Sequence, residues 1–256
     1  MTTPEPAAVV HAPHRPLTDY YRTEQDRQAY LRRIFDDTAP DYDRIESMLA
    51  WGTGSRYRHD ALVRAGLKPG MKVLDVGVGT GLVAAQACIL TGDPALVTGL
   101  DPSPGMMAAG KLPRAMAMVE GRAESLPFPD NHFDFLSMGY ALRHISDLSA
   151  AFAEFERVLK PGGRLCILEI TQAQTPLGRW LLKTYMRGVI PLLARLVSSR
   201  KKTTTMWRYY WDTIEACVRP DQVIATIESV GLTHVRRHLE VGIFSEYQAV
   251  KPSRSR

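Results

Sequence analysis

From about residue 72 onward, short apolar runs alternate with longer stretches in which apolar positions recur every three or four residues. The runs at 72–76, 95–100, 115–119, 133–138 and 164–170 have strand length, and several are bounded by glycine or proline. The stretches at 81–90, 104–111 and 148–159 carry helix spacing. Strands that alternate with helices predict an α/β fold with a mostly parallel sheet between helical layers. After Ile170 the alternation stops, and a helical insertion is expected over 176–218. A last helix at 220–230 and strands at 235–239 and 243–250 complete a seven-stranded sheet.

Ahead of the alternation the pattern is weaker. Residues 18–35 are polar and helix-compatible, 36–55 read as a turn-rich connection around Tyr42, Trp51 and the breaks at Pro40, Gly52 and Gly54, and 57–65 as a short helix closed by Gly66. Pro4, Pro6, Pro13 and Pro16 predict an extended or disordered leader over 1–17, outside the core. The expected organisation is that leader followed by one domain over 18–256. Within it lie a cap (18–66), a ligand-binding core (67–170), a helical lid (171–218) and closing elements (219–251).

Length and composition support one sizeable core, with 256 residues, 45% hydrophobic and 23% charged. No stretch holds the roughly 20 apolar residues that cross a bilayer, and no signal-peptide layout precedes residue 18. A cytoplasmic protein is therefore expected. Cys88, Cys166 and Cys217 lack metal-ligand spacing and read as buried free thiols, and no metal site is expected. The net charge of +5 is unevenly spread, because no acidic residue stands between Glu169 and Asp212 while eight basic ones do.

The densest chemical signal is residues 73–81, a strand running into Gly77, Gly79 and Gly81 at the start of a helix. Glycine lets a ligand approach the backbone where no side chain intervenes. Asp101 ends the next strand, 20 residues after Gly81, where the ribose hydroxyls of a nucleoside would lie. The dinucleotide spacing G-x-G-x-x-G requires glycine at 82, and that position is Leu82. What stands instead is G-x-G-x-G with Asp75 two residues ahead, a carboxylate suited to a ligand bearing an ammonium and a sulfonium rather than a pyrophosphate. The plainer alternative is a glycine-rich turn with Asp75 and Asp101 as helix caps. A third element, 120–134, places Ala123 and Glu124 after the third strand, near a nucleobase edge.

Together with the stretches 35–43, 123–130, 142–147 and 157–170, these motifs resemble the ubiquinone/menaquinone biosynthesis C-methyltransferase (UbiE/MenG-like) family over about residues 33–251. The resemblance implies a Rossmann-like class I methyltransferase fold and S-adenosyl-L-methionine as cofactor, with S-adenosyl-L-homocysteine as product. It implies cofactor contacts at Thr80, Asp101, Arg122 and Ala123, with Gly139 where the family usually has serine. Asp75, Gly77, Gly79, Gly81, Met106 and Glu124 complete the candidate cofactor set. His144 and Arg122 stand where the family commonly has asparagine, so the acceptor is where this chain departs from its apparent relatives.

For a phenolic or hydroquinone acceptor, His144 is an apt base, since its ordinary pKa lies near neutrality. Arg143 would stabilise the phenolate and Tyr42 would flank cofactor or substrate. The plainer readings are a hydrogen-bonded structural histidine and a packing tyrosine. The insertion interleaves basic residues with Trp180, Leu181, Leu182, Tyr185, Met186, Val189, Ile190, Leu192, Leu193, Leu196 and Val197. Residues 176–208 therefore read either as a basic amphipathic face for an anionic membrane, peripheral to the inner membrane and matched to a lipid-tailed substrate, or as a lid packed on the core. The aromatics Trp207, Tyr209, Tyr210 and Trp211 fit a pocket wall as well as RNA, and nucleic acid is the less expected partner. Rival readings keep the cradle and change the outcome: N- or O-methylation of a phospholipid headgroup or secondary metabolite, modification of a quinone by the cofactor's amino group, or binding without catalysis. Homodimer formation is left open.

Overall fold

The computed structural model describes residues 9–49, 53–192 and 201–253; Pro4, Pro6, Trp51, Gly52, Leu193, Leu196 and Val197, named above, lie outside the described residues, as do Arg195 and Arg200 of the basic stretch and the side chains of Lys201 and Lys202. The strands are β1 (Val73–Val76), β2 (Val97–Asp101), β3 (Ala117–Glu120), β4 (Phe133–Gly139), β5 (Leu159–Ile170), β6 (Thr233–Glu240) and β7 (Phe244–Val250). They form one sheet in the order β3-β2-β1-β4-β5-β7-β6. β1 to β5 pair in parallel, and β7 enters antiparallel between β5 and β6.

Both faces of the central strands are buried, and alternate residues feed two cores. Leu74 and Val76 of β1 and Leu136 and Met138 of β4 join a core with Phe152 and Phe155, whereas Val73 and Phe135 join one with Leu62 and Ala84. That explains why these strands read as continuous apolar runs. The first core is covered by α5 (Leu148–Val158), whose buried Leu148, Ala151, Phe152, Phe155 and Val158 form a single helical stripe, and by α8 (Pro220–Ser229). The second is covered by α2 (Gly54–Ala65) and α3 (Leu82–Thr91). Local chemistry sets the helix ends. Asp147 accepts from Ala150 N–H (3.0 Å) at the start of α5, and Ser103 from Met106 N–H (3.1 Å) at the start of α4 (Pro104–Ala109), with Pro104 in its first turn.

The first helix departs from the sequence expectation. α1 runs unbroken over Glu24–Leu49, through Pro40, where a turn-rich connection was expected from residue 36. An internal proline removes one helix hydrogen bond and costs about 3 kcal/mol in isolation. Here the helix is held from outside, since Ile34, Thr38 and Ala39 are buried and Asp36 and Asp43 bond to the core. A third apolar cluster joins Ile34, Tyr30, Phe35 and Tyr42 of α1 to Met186, Ile190, Met206, Trp207, Tyr210 and Trp211. These come from the insertion, built of α6 (Pro176–Thr184), a wider π-type turn over Tyr185–Val189, and α7 (Lys201–Ala216).

The expected free leader is also corrected over residues 9–17. Leu148 N–H donates to His11 O (2.6 Å), Val218 N–H to Pro13 O (2.7 Å), and Val10 N–H to Thr226 Oγ1 (3.1 Å), while His14 is buried. Proline-rich sequence limits regular structure but leaves the carbonyls free to accept from the core.

Candidate active site

β1 ends on the glycine turn at the carboxyl edge of the sheet, beside the neighbouring strand ends of β2 and β4, where open α/β sheets bind ligands. Gly77, Gly79 and Gly81 adopt φ of +69°, +54° and +89°. A Cβ on Gly77 would lie 2.6 Å from Ala141 Cβ. At Gly81 it would lie 2.4 Å from Leu112, so this third glycine admits a neighbouring side chain rather than a ligand. Gly77 and Gly79 line the cavity described next; Gly81 does not.

A single cavity of about 1520 Å³ opens over this edge and runs beneath α1 and the insertion. Small-molecule sites usually span about 300–1,000 Å³, so this one has room for a nucleoside cofactor together with an acceptor. Asp75, Thr80, Asp101, Met106, Arg122, Ala123, Glu124 and Gly139 all line it, as do Tyr42 and His144. Candidate residues spread over more than a hundred positions of the sequence thus meet in one cavity.

The two strand-end carboxylates are buried. Asp75 accepts from Ser137 Oγ (2.7 Å), and burial outweighs that bond, pushing its carboxyl up to about 7. Asp101 accepts from Gly79 N–H and Ser103 N–H, both at 2.8 Å, and burial raises it to about 6 against those amides. Glu124 is also driven upward by burial, yet the Ser146 N–H (2.6 Å) and Arg122 (3.1 Å) hold it below the ordinary carboxylate value. Arg122 therefore lies beside the cofactor wall with its charge already met. At Gly139, a Cβ would come within 2.5 Å of Val83 Cγ2. This packing favours glycine at that position.

The end of the cavity beneath α1 and the insertion is aromatic. Tyr42 stacks on Trp207 with ring centroids 6.0 Å apart and planes 14° from parallel. His144 packs edge-on to Phe35 (5.2 Å) and stacks on Tyr209 (5.8 Å). Both of its ring nitrogens are buried and have no hydrogen-bond partner among the described residues. Burial, and then the charges of Arg143, Arg27 and His14, hold its pKa well below 6.5, so the ring is neutral at pH 7. A buried neutral imidazole without partners lacks what a structural histidine normally has.

Arg143 requires a correction. It was expected to meet a phenolate, but it is fully buried and stands outside the cavity wall. Its Nη1 pairs with Glu169, its Nε donates to Thr213 Oγ1 (3.1 Å), and its guanidinium lies 3.8 Å from the centre of the Tyr210 ring. It braces the wall behind Tyr210 and His144. Sequence reading could not separate these roles, because charge and spacing say nothing about which way a side chain turns.

Several residues that line or support this wall were not singled out in the sequence, Asp36, Asp43, Glu46 and Arg58 among them. Asp36 of α1 accepts from Ser103 Oγ (2.5 Å) and Gly105 N–H (2.9 Å), and Asp43 accepts from Thr80 Oγ1. Glu46 pairs with the buried Arg58 of α2, whose guanidinium lies 5.6 Å from the centre of the Tyr140 ring. Tyr140 itself holds a φ of +58°, a costly conformation for a bulky residue. The Asp-Tyr-Asp stretch was visible as a motif, but only the folded α1 shows what its carboxylates hold. One further group, His238, Glu240 and Glu246, has metal-like proximity. There Arg64 donates to Glu246 (2.6 Å) and Glu240 (3.1 Å), so a guanidinium already meets these carboxylates. No described helix is long and apolar enough to cross a membrane.

Comparison with known proteins is consistent with this geometry. The family model described as the ubiE/COQ5 methyltransferase family matches residues 23–251. A demethylmenaquinone methyltransferase of Corynebacterium efficiens is 35% identical over 220 residues, 86% of this chain and 93% of that one. A ubiquinone/menaquinone biosynthesis C-methyltransferase UbiE of a Shewanella species is 32% identical over 211 residues, 79% and 82% of the two chains. Among solved structures, an S-adenosylmethionine-dependent methyltransferase of Thermotoga maritima aligns with a TM-score of 0.56 at 20% identity, covering 86% of this chain and 99% of that one, which speaks for the fold. With its strand-end carboxylates, open glycine turn and family match over most of its length, this chain belongs to the ubiE/COQ5 methyltransferase family and is an S-adenosylmethionine-dependent methyltransferase of the Rossmann-like class.

Proposed function

We propose that the acceptor is a reduced quinone ring with an apolar tail, methylated on a ring carbon, and that His144 is the base. The observation that carries this reading is the pair of unpartnered imidazole nitrogens in a cavity wall otherwise built from Phe35, Tyr42, Trp207 and Tyr210. The cofactor, when bound, supplies an electrophilic methyl group on a sulfonium. Asp101 is suited to its ribose hydroxyls, Asp75 to its ammonium, and Ala123 with Glu124 to its base edge. On the acceptor side, flat aromatic walls would hold a ring edge toward the cradle. His144 takes a hydroxyl proton from the ring, which raises electron density on the neighbouring carbon. That carbon would receive the methyl of the bound cofactor, which leaves as S-adenosylhomocysteine; the carbon's own hydrogen would pass as a proton to water, and the protonated His144 would return its proton to the ring oxygen. The depressed pKa keeps His144 in its accepting form, and Arg143 and Glu169 keep Tyr210 and the following turn in place.

The acceptor identity rests on the relatives' substrates and on the apolar wall. Incubating the enzyme with methyl-labelled cofactor and a short-tailed demethylated quinol should place label on the ring carbon. Label going instead to a headgroup amine such as phosphoethanolamine, with none on the quinol, would overturn it. His144→Gln should lower turnover by roughly 10²- to 10⁴-fold while S-adenosylhomocysteine affinity stays within a few fold. Full activity of this variant would remove His144 from the mechanism.

The same reading includes contact with a membrane surface. Leu177, Trp180, Leu181, Val189 and Leu192 of the insertion and Val241 of the β6–β7 turn are exposed, Trp180 by 62% and Val241 by 80%. Leu182, Tyr185, Met186 and Ile190 of the same segment line the cavity, as does Val241. An apolar rim therefore surrounds the cavity mouth, on a stretch that carries Arg179, Lys183 and Arg187 and no acidic residue. Such a rim suits an anionic lipid surface from which a tailed substrate enters.

A further inference from the structure

The amino-acid end of S-adenosylmethionine carries two charges, an ammonium and a carboxylate, and the residues assigned so far serve one of them. Asp75 suits the ammonium. Its Ser137 partner lies on β4, and the chain continues from there through Gly139 to Tyr140. Over the Tyr140 ring, 5.6 Å from its centre, stands the guanidinium of Arg58. Arg58 is 4% exposed, lines the cavity, and acts electrostatically on Asp75 from α2. Glu46 takes its Nη2, while its Nε is buried with no hydrogen-bond partner among the described residues. A guanidinium has five N–H donors, so one carboxylate leaves it far from satisfied.

Other cations in the cavity wall are differently placed. Arg32 pairs with Glu120 (3.0 Å) at the end of β3, Arg122 with Glu124, and Arg56 is largely exposed beside Asp60. None of these combines burial with a free donor next to Asp75.

We propose that Arg58 receives the carboxylate of the cofactor's amino-acid end on the part of its guanidinium that Glu46 leaves unpaired, with Glu46 fixing the other side and Tyr140 supporting its face. The inference rests on the cavity being the S-adenosylmethionine site and adds a residue outside the glycine turn that selects for the intact amino acid. It also accounts for the placement of α1 and α2, which bring Glu46 and Arg58 to the end of β1.

Three probes separate this role from a structural one, each titrated calorimetrically into the full chain. S-adenosylhomocysteine has both charges, decarboxylated S-adenosylmethionine keeps the amine alone, and 5′-methylthioadenosine has neither. Arg58→Met should weaken S-adenosylhomocysteine by roughly 10- to 100-fold, the usual scale for a lost charge-assisted hydrogen bond, and leave the other two within about twofold. Arg58→Lys, which keeps charge but not the fork, should fall between. Unchanged S-adenosylhomocysteine affinity in Arg58→Met would overturn the proposal, and so would a parallel loss for all three probes, which would make Arg58 a structural pillar. If the unaltered chain bound neither S-adenosylhomocysteine nor methylthioadenosine, the cofactor site itself would be misplaced, a different failure.

Discussion

At Asp75, burial and charge compete directly. Its carboxyl, pushed up to about 7, is largely protonated below neutrality in the free protein, and a ligand ammonium favours the ionised form. Binding the ligand's ammonium beside Asp75 should therefore expel a proton once the pH falls below about 7. The dissociation constant for S-adenosylhomocysteine should rise on acidification, by up to about tenfold per pH unit. Asp101, at about 6, would add to the slope only lower down. Titrations between pH 8 and 6 should show this rise in the unaltered chain and lose most of it in Asp75→Asn; a flat profile in the unaltered chain would refute the role given to Asp75. The position of this residue was legible in the sequence, because a carboxylate before a glycine turn is a linear pattern. The direction of Arg143 was not, since two adjacent residues, Arg143 and His144, face opposite sides of one wall.

Among the elements, α1 shows how tertiary contacts override a local signal. Pro40 and the surrounding polar residues predict a break, yet the helix continues because Asp36 bonds to Ser103 and Gly105, Asp43 to Thr80, and Glu46 to Arg58. Each of these partners lies on an element that frames the cavity, so α1 acts as a clasp on the cradle. The fit is tight at Gly105, where a Cβ would sit 2.9 Å from Asp36 Cα and 2.6 Å from its Oδ1. Gly105→Ala should therefore push α1 outward, costing about 1–3 kcal/mol in chemical denaturation and weakening cofactor binding together with stability. Stability and affinity that both match the unaltered chain would show that α1 is not held there. The central strands needed no such help, because burial on two faces demands apolar side chains at most of their positions.

For the whole molecule, the cavity and its rim unite segments far apart in sequence: the cap, the strand ends, the insertion and the β6–β7 turn. Exposed apolar side chains at a cavity mouth are expected where a lipid-tailed ligand enters from a membrane. Sedimentation with vesicles should show binding to anionic but weakly to neutral lipid, reduced by salt and by Trp180→Ser combined with Leu177→Ser. The paired variant should retain S-adenosylhomocysteine binding, because neither residue lines the cavity. Equal retention on neutral vesicles, or no effect of the paired change, would rule out this surface as the membrane face.

The sequence by itself determined the α/β alternation, the glycine turn with Asp75 and Asp101, and the failure of the dinucleotide spacing at Leu82, because each depends on neighbours within a strand, a turn or a helix. Tertiary structure alone decided that α1 continues through Pro40, that residues 9–17 pack on the core, that Arg143 turns away from the cavity, and that Arg58 stands over Tyr140 in the cavity wall. Those outcomes depend on which groups meet at sequence separations from 12 to 216 residues, and burial, charge pairing and hydrogen bonding at that range leave no periodic trace along the chain.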